Sequence, residues 1–155
     1  MRRLTAGVLA VVCLVGVSGC EWRGLNSLSL PGTTGTGAGS YTIQAELPDV
    51  VTIQQNTRVR VADVNVGNVT GIEVRDWHAL VTMRIDGGVH LPANSTAKVG
   101  QTSLLGSMHI ELSPPTNEPP QGQLTNGAVI PLSRAATYPT TEQALASASI
   151  LLNGG

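Results

Sequence analysis

Phenylalanine is absent from this chain, and the only aromatic residues are two tryptophans and two tyrosines. Any core must therefore be assembled from valine, isoleucine, leucine and alanine, and the frequent Val and Thr favour strands over helices. Lysine is almost missing as well, Lys98 being the only one. The formal net charge is -1, falling to -3 if Arg2 and Arg3 leave with a leader. No basic patch exists to neutralise a phosphate backbone, which excludes a nucleic-acid partner. Cysteine occurs only at positions 13 and 20. No apolar run reaches the ~20 residues of a membrane-spanning helix.

The longest such run, Leu4–Val17, follows Arg2-Arg3 and reads as a secretory leader. Val17-Ser18-Gly19-Cys20 places small residues before a cysteine, the pattern of the bacterial lipobox, in which the thiol receives a diacylglycerol and cleavage leaves Cys20 first. An ordinary leader with an incidental cysteine, or an uncleaved anchor, would give the same run. Cys13 would leave with the leader and a lipidated Cys20 has no free thiol, so the mature domain must be stable without a disulfide. Acyl chains contribute ~0.8 kcal/mol per buried methylene, enough for two or three to hold the protein on the outer face of a membrane.

Residues 20–40 are rich in Gly, Thr and Ser and read as a tether spanning about 25 Å as a coil. They make no phosphate loop, since no Lys follows. From Tyr41 the pattern changes to alternation: Tyr41, Ile43, Ala45 and Leu47 form one strand face. Val59 and Val61 alternate with Arg58 and Arg60, which read as solvated or as a subunit contact. Ala62-Asp63 then shifts the register, indicating a bulge or short turn. Gly67-Asn68 reads as punctuation, Arg75-Asp76-Trp77-His78 as a hairpin turn, and Asp86-Gly87-Gly88 as the end of the next strand. After the Pro-rich loop Pro114–Gln123, Ala128–Leu132 reads as a last short strand. Six or seven short strands at this spacing indicate an all-β sandwich or barrel. Thr140-Thr141-Glu142-Gln143 is a capping box, and Leu145, Ala148 and Leu152 follow at helical spacing.

The chain is organised around Ala97–Leu112. Both flanks alternate as half-buried strands, yet the turn between them holds the bare pair Leu104-Leu105, bracketed by Thr102-Ser103 and Gly106. The leucines either fold back into the core or meet a partner or apolar ligand.

Enzymatic signals are weak. Ser95-Thr96-Ala97-Lys98 fits S-x-x-K, but the companion motifs are missing and the segment opens a strand rather than a helix. His78, His90 and His109 lie on different elements without metal-site spacing and read as solvated. Asp63, Glu73, Asp76 and Asp86 are scattered rather than paired. Neither a catalytic residue, nor a metal, nor a cofactor is expected. Asn68-Val69-Thr70 and Asn94-Ser95-Thr96 are formal glycosylation sequons, uninformative if the lipobox means a bacterial source.

The run Thr57–Ile72, with its V-R-V strand, short turn and V-G-x-V, together with Leu91–Ala97, Gln101–Gly106 and Ile110–Leu112, resembles the MCE (mammalian cell entry) or MlaD-like domain over about Tyr41–Pro115. The lipobox, the tether and the helix start after Pro139 further resemble the lipoprotein, E-type, subunit of actinobacterial Mce transporters. The resemblance implies a small seven-stranded β-barrel at 41–115, preceded by a lipoprotein signal at 1–19 and the tether at 20–40. It is followed by the Pro-rich loop and last strand at 116–139 and the start of a C-terminal helical region at 140–155. It also implies a ring of six, a hetero-hexamer with other Mce subunits. Leu104, Leu105 and Gly106 would form its apolar pore loop, and an ABC permease and ATPase would be partners in passing sterols, fatty acids or similar lipids across the envelope. The family's helical region is long, whereas this sequence stops two to three turns into it, so a fragment or truncated product is expected. The competing function class is a surface lipoprotein that binds host cells through exposed strands or the Pro114–Pro120 loop.

Overall fold

In the computed structural model, the described residues are 34–102, 106–137 and 149–150. The leader, Cys20, the loop tip with Leu104 and Leu105, and the body of the expected C-terminal helix fall outside them.

Alternation of apolar and polar residues produces the strands β1 (Tyr41–Leu47), β2 (Arg58–Val61), β3 (Val64–Arg75), β4 (His78–Ile85), β5 (Thr96–Gln101) and β6 (Met108–Ser113). Two short strands, β7 (Val129–Ile130) and β8 (Ala135–Thr137), flank a 3-10 turn at Leu132–Arg134. All eight belong to one sheet in the order β7-β1-β4-β3-β2-β6-β5-β8. Because β7 lies on β1 and β8 on β5, one continuous segment joins the two edges and nearly closes the sheet into a barrel. The inward residues of each strand form a single aliphatic cluster that includes Ile43, Val59, Val69, Met83, Val99 and Ile110. Full burial of each such side chain stabilises the fold by ~1.5–3 kcal/mol.

The fold is all-β, as expected, with two differences of detail. There are eight strands rather than seven, because the expected strand Ala128–Leu132 stops at Ile130. Pro131 has no N–H to continue a ladder, and the chain turns there to reach β5. Gly67-Asn68 does not interrupt the sheet but lies inside the long β3. A Cβ at Gly67 would collide with the Arg84 carbonyl of β4, so glycine here permits close strand approach.

Ala62-Asp63 and Asp76-Trp77 are both two-residue hairpin loops with positive φ at each residue, the type I′ arrangement. The alternatives at Ala62-Asp63 thus resolve as a turn, with a separate register shift between Val59 and Arg60.

Strand directions give the barrel two distinct ends. β1, β3, β5, β7 and β8 run one way, and β2, β4 and β6 the other. One end gathers residues 48–57, the Asp76-Trp77 turn, the β5–β6 loop and the point where the chain leaves β8. The other gathers residues 34–40, the Ala62-Asp63 turn, 86–95 and 114–128. There, Gly35 donates its N–H to Asp86 Oδ1 at 2.5 Å, so the last residues before β1 lie against the barrel.

Candidate functional site

The hairpin β5–β6 is built by six consecutive cross-strand pairs from Thr96↔Ser113 to Gln101↔Met108. Ala97, Val99, Ile110 and Leu112 anchor it in the core, fixing both stems of the connecting loop. The loop closes on itself at its base: the Ser107 carbonyl accepts from the Thr102 N–H at 3.3 Å and from Thr102 Oγ1 at 3.1 Å. Gln101 Nε2 donates to the Gly106 carbonyl at 3.4 Å. The base of the loop, at Thr102 and Gly106–Ser107, therefore lies at the barrel end opposite the one where the N-terminal segment arrives. Gly106 is half-buried at the loop's base; Leu104 and Leu105, like Cys20, lie outside the described residues.

Below the loop is a polar group that reading the sequence missed. His109 alternates with the core residues Met108 and Ile110 and so stands on the outer face, where a solvated ring was expected; instead it is 8% exposed. The ring is buried because its cross-strand partner is Gly100 and the imidazole covers it: a Cβ at Gly100 would sit 3.0 Å from His109 Nε2. His109 Nδ1 has no hydrogen-bond partner among the described residues, and Nε2 is 3.8 Å from Glu111 Oε2. Burial, aided by the positive charge of Arg60, holds the imidazole below its usual range, against an opposing pull from Glu111 and Asp63. Glycine opposite histidine in a hairpin is the signal that could have revealed it.

The other sequence candidates are dispersed. His78 Nδ1 lies 3.2 Å from the Asp76 carbonyl, and its Nε2 is 3.7 Å from Glu46. His90 Nδ1 is 2.8 Å from Gln123 Nε2. Asp63 is 3.6 Å from Arg60, Asp86 holds Gly35, and Glu73 and Asp76 are exposed. Among the described residues no three His, Cys, Asp or Glu side chains converge as a metal site would require. Ser95 is fully buried with its hydroxyl donated to the Pro92 carbonyl at 2.7 Å, and Lys98 follows on the strand proper. Asn94 is 3% exposed, donating to the Pro119 carbonyl at 3.0 Å and accepting from the Gln121 N–H at 2.9 Å. Its sequon is thus consumed in anchoring the Pro-rich loop.

Residues 39–115 match the model of the family described as MlaD protein. Residues 39–115 belong to the MlaD family. The chain is also 46% identical over 144 residues to lipoprotein LprN of Mycobacterium tuberculosis, an alignment that takes in 90% of this chain and 38% of that protein. It therefore spans well under half the length of this relative. Among solved structures, a chain of the Acinetobacter MlaFEDB complex in an ATP-bound conformation superposes with a TM-score of 0.63 at 14% identity. The superposition covers 95% of this chain and 98% of that one, and shows a shared fold. The family match stops at position 115, so β7 and β8, which close the barrel, lie beyond it.

Proposed function

We propose that this MlaD-family chain is a non-enzymatic, lipid-anchored subunit of an Mce-type ABC lipid transport system. Cys20 is the lipidated residue, on the outer face of the cell membrane. The barrel takes its place with other Mce subunits in a hexameric ring, served by a permease and an ATPase. Leu104, Leu105 and Gly106 line the path of the lipid.

The observation that supports this reading is the fixed base of the β5–β6 loop. Its base is fixed by the Thr102–Ser107 bonds and by strands rooted in the core, and its apolar tip residues point the chain's chemistry towards acyl or polycyclic ligands. A path for lipid needs apolar walls without fixed charge, so that contact is favourable but shallow; each leucine supplies up to ~1.5–3 kcal/mol when fully covered. The lipoprotein relative supports the anchor, and the ATP-bound complex of the structural neighbour supports an energised partner.

Native mass spectrometry of the full chain with sibling barrel subunits, beside a Leu104→Asp/Leu105→Asp variant, tests the reading. The expected result is a six-membered assembly that retains lipid, with retention falling at least tenfold in the variant. A lipid-free monomer in every mixture would sink it and favour the host-binding lipoprotein.

A further inference from the structure

The Asp76-Trp77 turn breaks a rule of hairpin design. In a two-residue loop with both φ values positive, glycine is the favoured second residue, since a side chain there crowds the backbone. Trp77 holds φ 66° and is 100% exposed, so its ring gains no burial in exchange for the strain. Nothing in the folding of the barrel accounts for a tryptophan at this position. An observed backbone outlier of this kind points towards function.

Its surroundings point the same way. The inward stripe of β3 runs Val69, Ile72, Val74; Val69 is buried and Ile72 packs on the core, but Val74 is 88% exposed. The apolar stripe thus continues beyond the reach of β2, while Val74 is still level with the buried Ala79 of β4 and Leu47 of β1. The β2 side of β3 also loses its partner: β2 begins at Arg58 opposite Asn68, and the segment before it reaches Val69 and Thr70 through the Asn56 N–H and Gln55 Nε2. From Gly71 to Arg75 no strand among the described residues pairs with that edge. At ~3.3 Å per residue, β3 rises about 20 Å above the start of β2.

We infer that the overhanging β3–β4 hairpin, with Trp77 and Val74 as anchors and Gly71–Arg75 as a free strand edge, docks against another barrel of this fold. This rests on the assembly reading above and assigns it a contact. A free strand edge is satisfied by polypeptide backbone, which a lipid chain cannot offer. Glu73, Arg75 and Asp76, all exposed beside the anchors, sum to a net charge of -1 and offer no basic cluster to an anionic bilayer surface. One Trp and one Val cover far less than the ~800 Å² that each partner of a stable complex contributes. The hairpin is therefore one anchor within a wider contact between barrels, where exposed tryptophans commonly dominate binding.

The test compares wild type, Trp77→Gly and Val74→Lys, each as the full chain extracted in detergent from the cells that produce it. Native mass spectrometry reads the fraction in multi-barrel species, and thermal melting reads stability. Trp77→Gly should raise the melting temperature by about 4 °C by relieving the left-handed strain, while lowering the multi-barrel fraction at least tenfold. Val74→Lys should lower that fraction without moving the melt. An unchanged multi-barrel fraction in both variants overturns the inference and leaves the assembly reading standing. Absence of multi-barrel species in wild type overturns both. A marked drop in the Trp77→Gly melt makes Trp77 a folding residue and overturns the inference. So does quenching of Trp77, isolated by Trp22→Phe, on vesicles of brominated phosphatidylcholine, which would assign the tip to a bilayer.

Discussion

The two ends of the barrel are built on different principles. At the end where the N-terminal segment arrives, side chains tie down the loops one by one. Asp86 holds Gly35, Asn126 Oδ1 accepts from the Thr42 N–H at 2.8 Å, and Glu111 Oε1 accepts from the Ala62 N–H at 3.0 Å. Asn94 and Ser95 organise the segments around Pro92 and Pro119. The opposite end has the base of the β5–β6 loop, the β3–β4 hairpin and the three most exposed large apolar side chains among the described residues, Val51, Val74 and Trp77, whereas the first end exposes Val64 and Val129 less fully. The two type I′ turns make the contrast sharpest. Strain at Ala62-Asp63 comes with a bond to Glu111 and a contact with Arg60, whereas Trp77 obtains nothing from its own barrel. Polar ties specify a shape; unburied apolar groups at a rigid end leave a surface for something else to cover.

The largest expected effect comes from cutting the ties at the first end. Asn94→Leu removes a buried amide that serves both the Pro119 carbonyl and the Gln121 N–H, leaving two backbone groups without their partner. Loss of such a group costs ~1–3 kcal/mol, and a domain of this size would melt ~4–8 °C lower for each kcal/mol. Urea unfolding of the full chain should show a lower midpoint with an unchanged slope. A midpoint within error of wild type would mean that the Pro-rich loop is not held through Asn94, and the contrast between the ends would lose its main support.

A smaller effect concerns His109, which lies between the two ends. Its folded-state pKa is depressed, chiefly by burial and then by Arg60, with Glu111 and Asp63 facing it from the other sign and Lys98 opposite Glu111 in the register. The unfolded chain thus binds the proton more readily than the folded one, and stability is full above the unfolded value near 6.5. It is lost as pH falls from there towards the depressed folded value, and levels off below it. Melts from pH 7.5 down to pH 5 should fall more steeply in wild type than in His109→Gln. Parallel slopes would show that the ring over Gly100 is hydrated and that this part of the hairpin is no more sheltered than the barrel ends.

Much of this architecture was legible from alternation alone. The inward sets on β1, β4, β5 and β6 follow from period-two patterning, and the Asp76-Trp77 hairpin from its flanking apolar runs. What escaped reading had a physical reason in each case. Gly67 looked like a stop because close strand approach requires the same residue as a turn. The last strand divided because Pro131 forbids a continuous ladder while the closing segment still has two edges to reach. His109 was hidden because its burial depends on a glycine nine positions earlier, paired only once the hairpin forms. At the candidate site, the stems were evident from sequence and the geometry fixes their base, whereas the roles of Leu104 and Leu105 stay with the proposal.

The smallest expected effect is the most discriminating for the apolar end. Val51 is 88% exposed, and the bond that shapes its turn is made by its backbone: the Val51 N–H donates to Asp49 Oδ1 at 3.0 Å. Val51→Ser keeps that bond and removes only an apolar side chain already in water, so unfolding should change by less than ~0.5 kcal/mol. If the end is a surface awaiting a cover, this silent substitution should reduce the multi-barrel fraction only where Val51 shares the contact made by Val74 and Trp77. A loss of stability well above that limit would instead place Val51 in the barrel's own packing. The exposed residues would then no longer form a class distinct from the core, because at least one of them would be holding the fold rather than waiting for a neighbour.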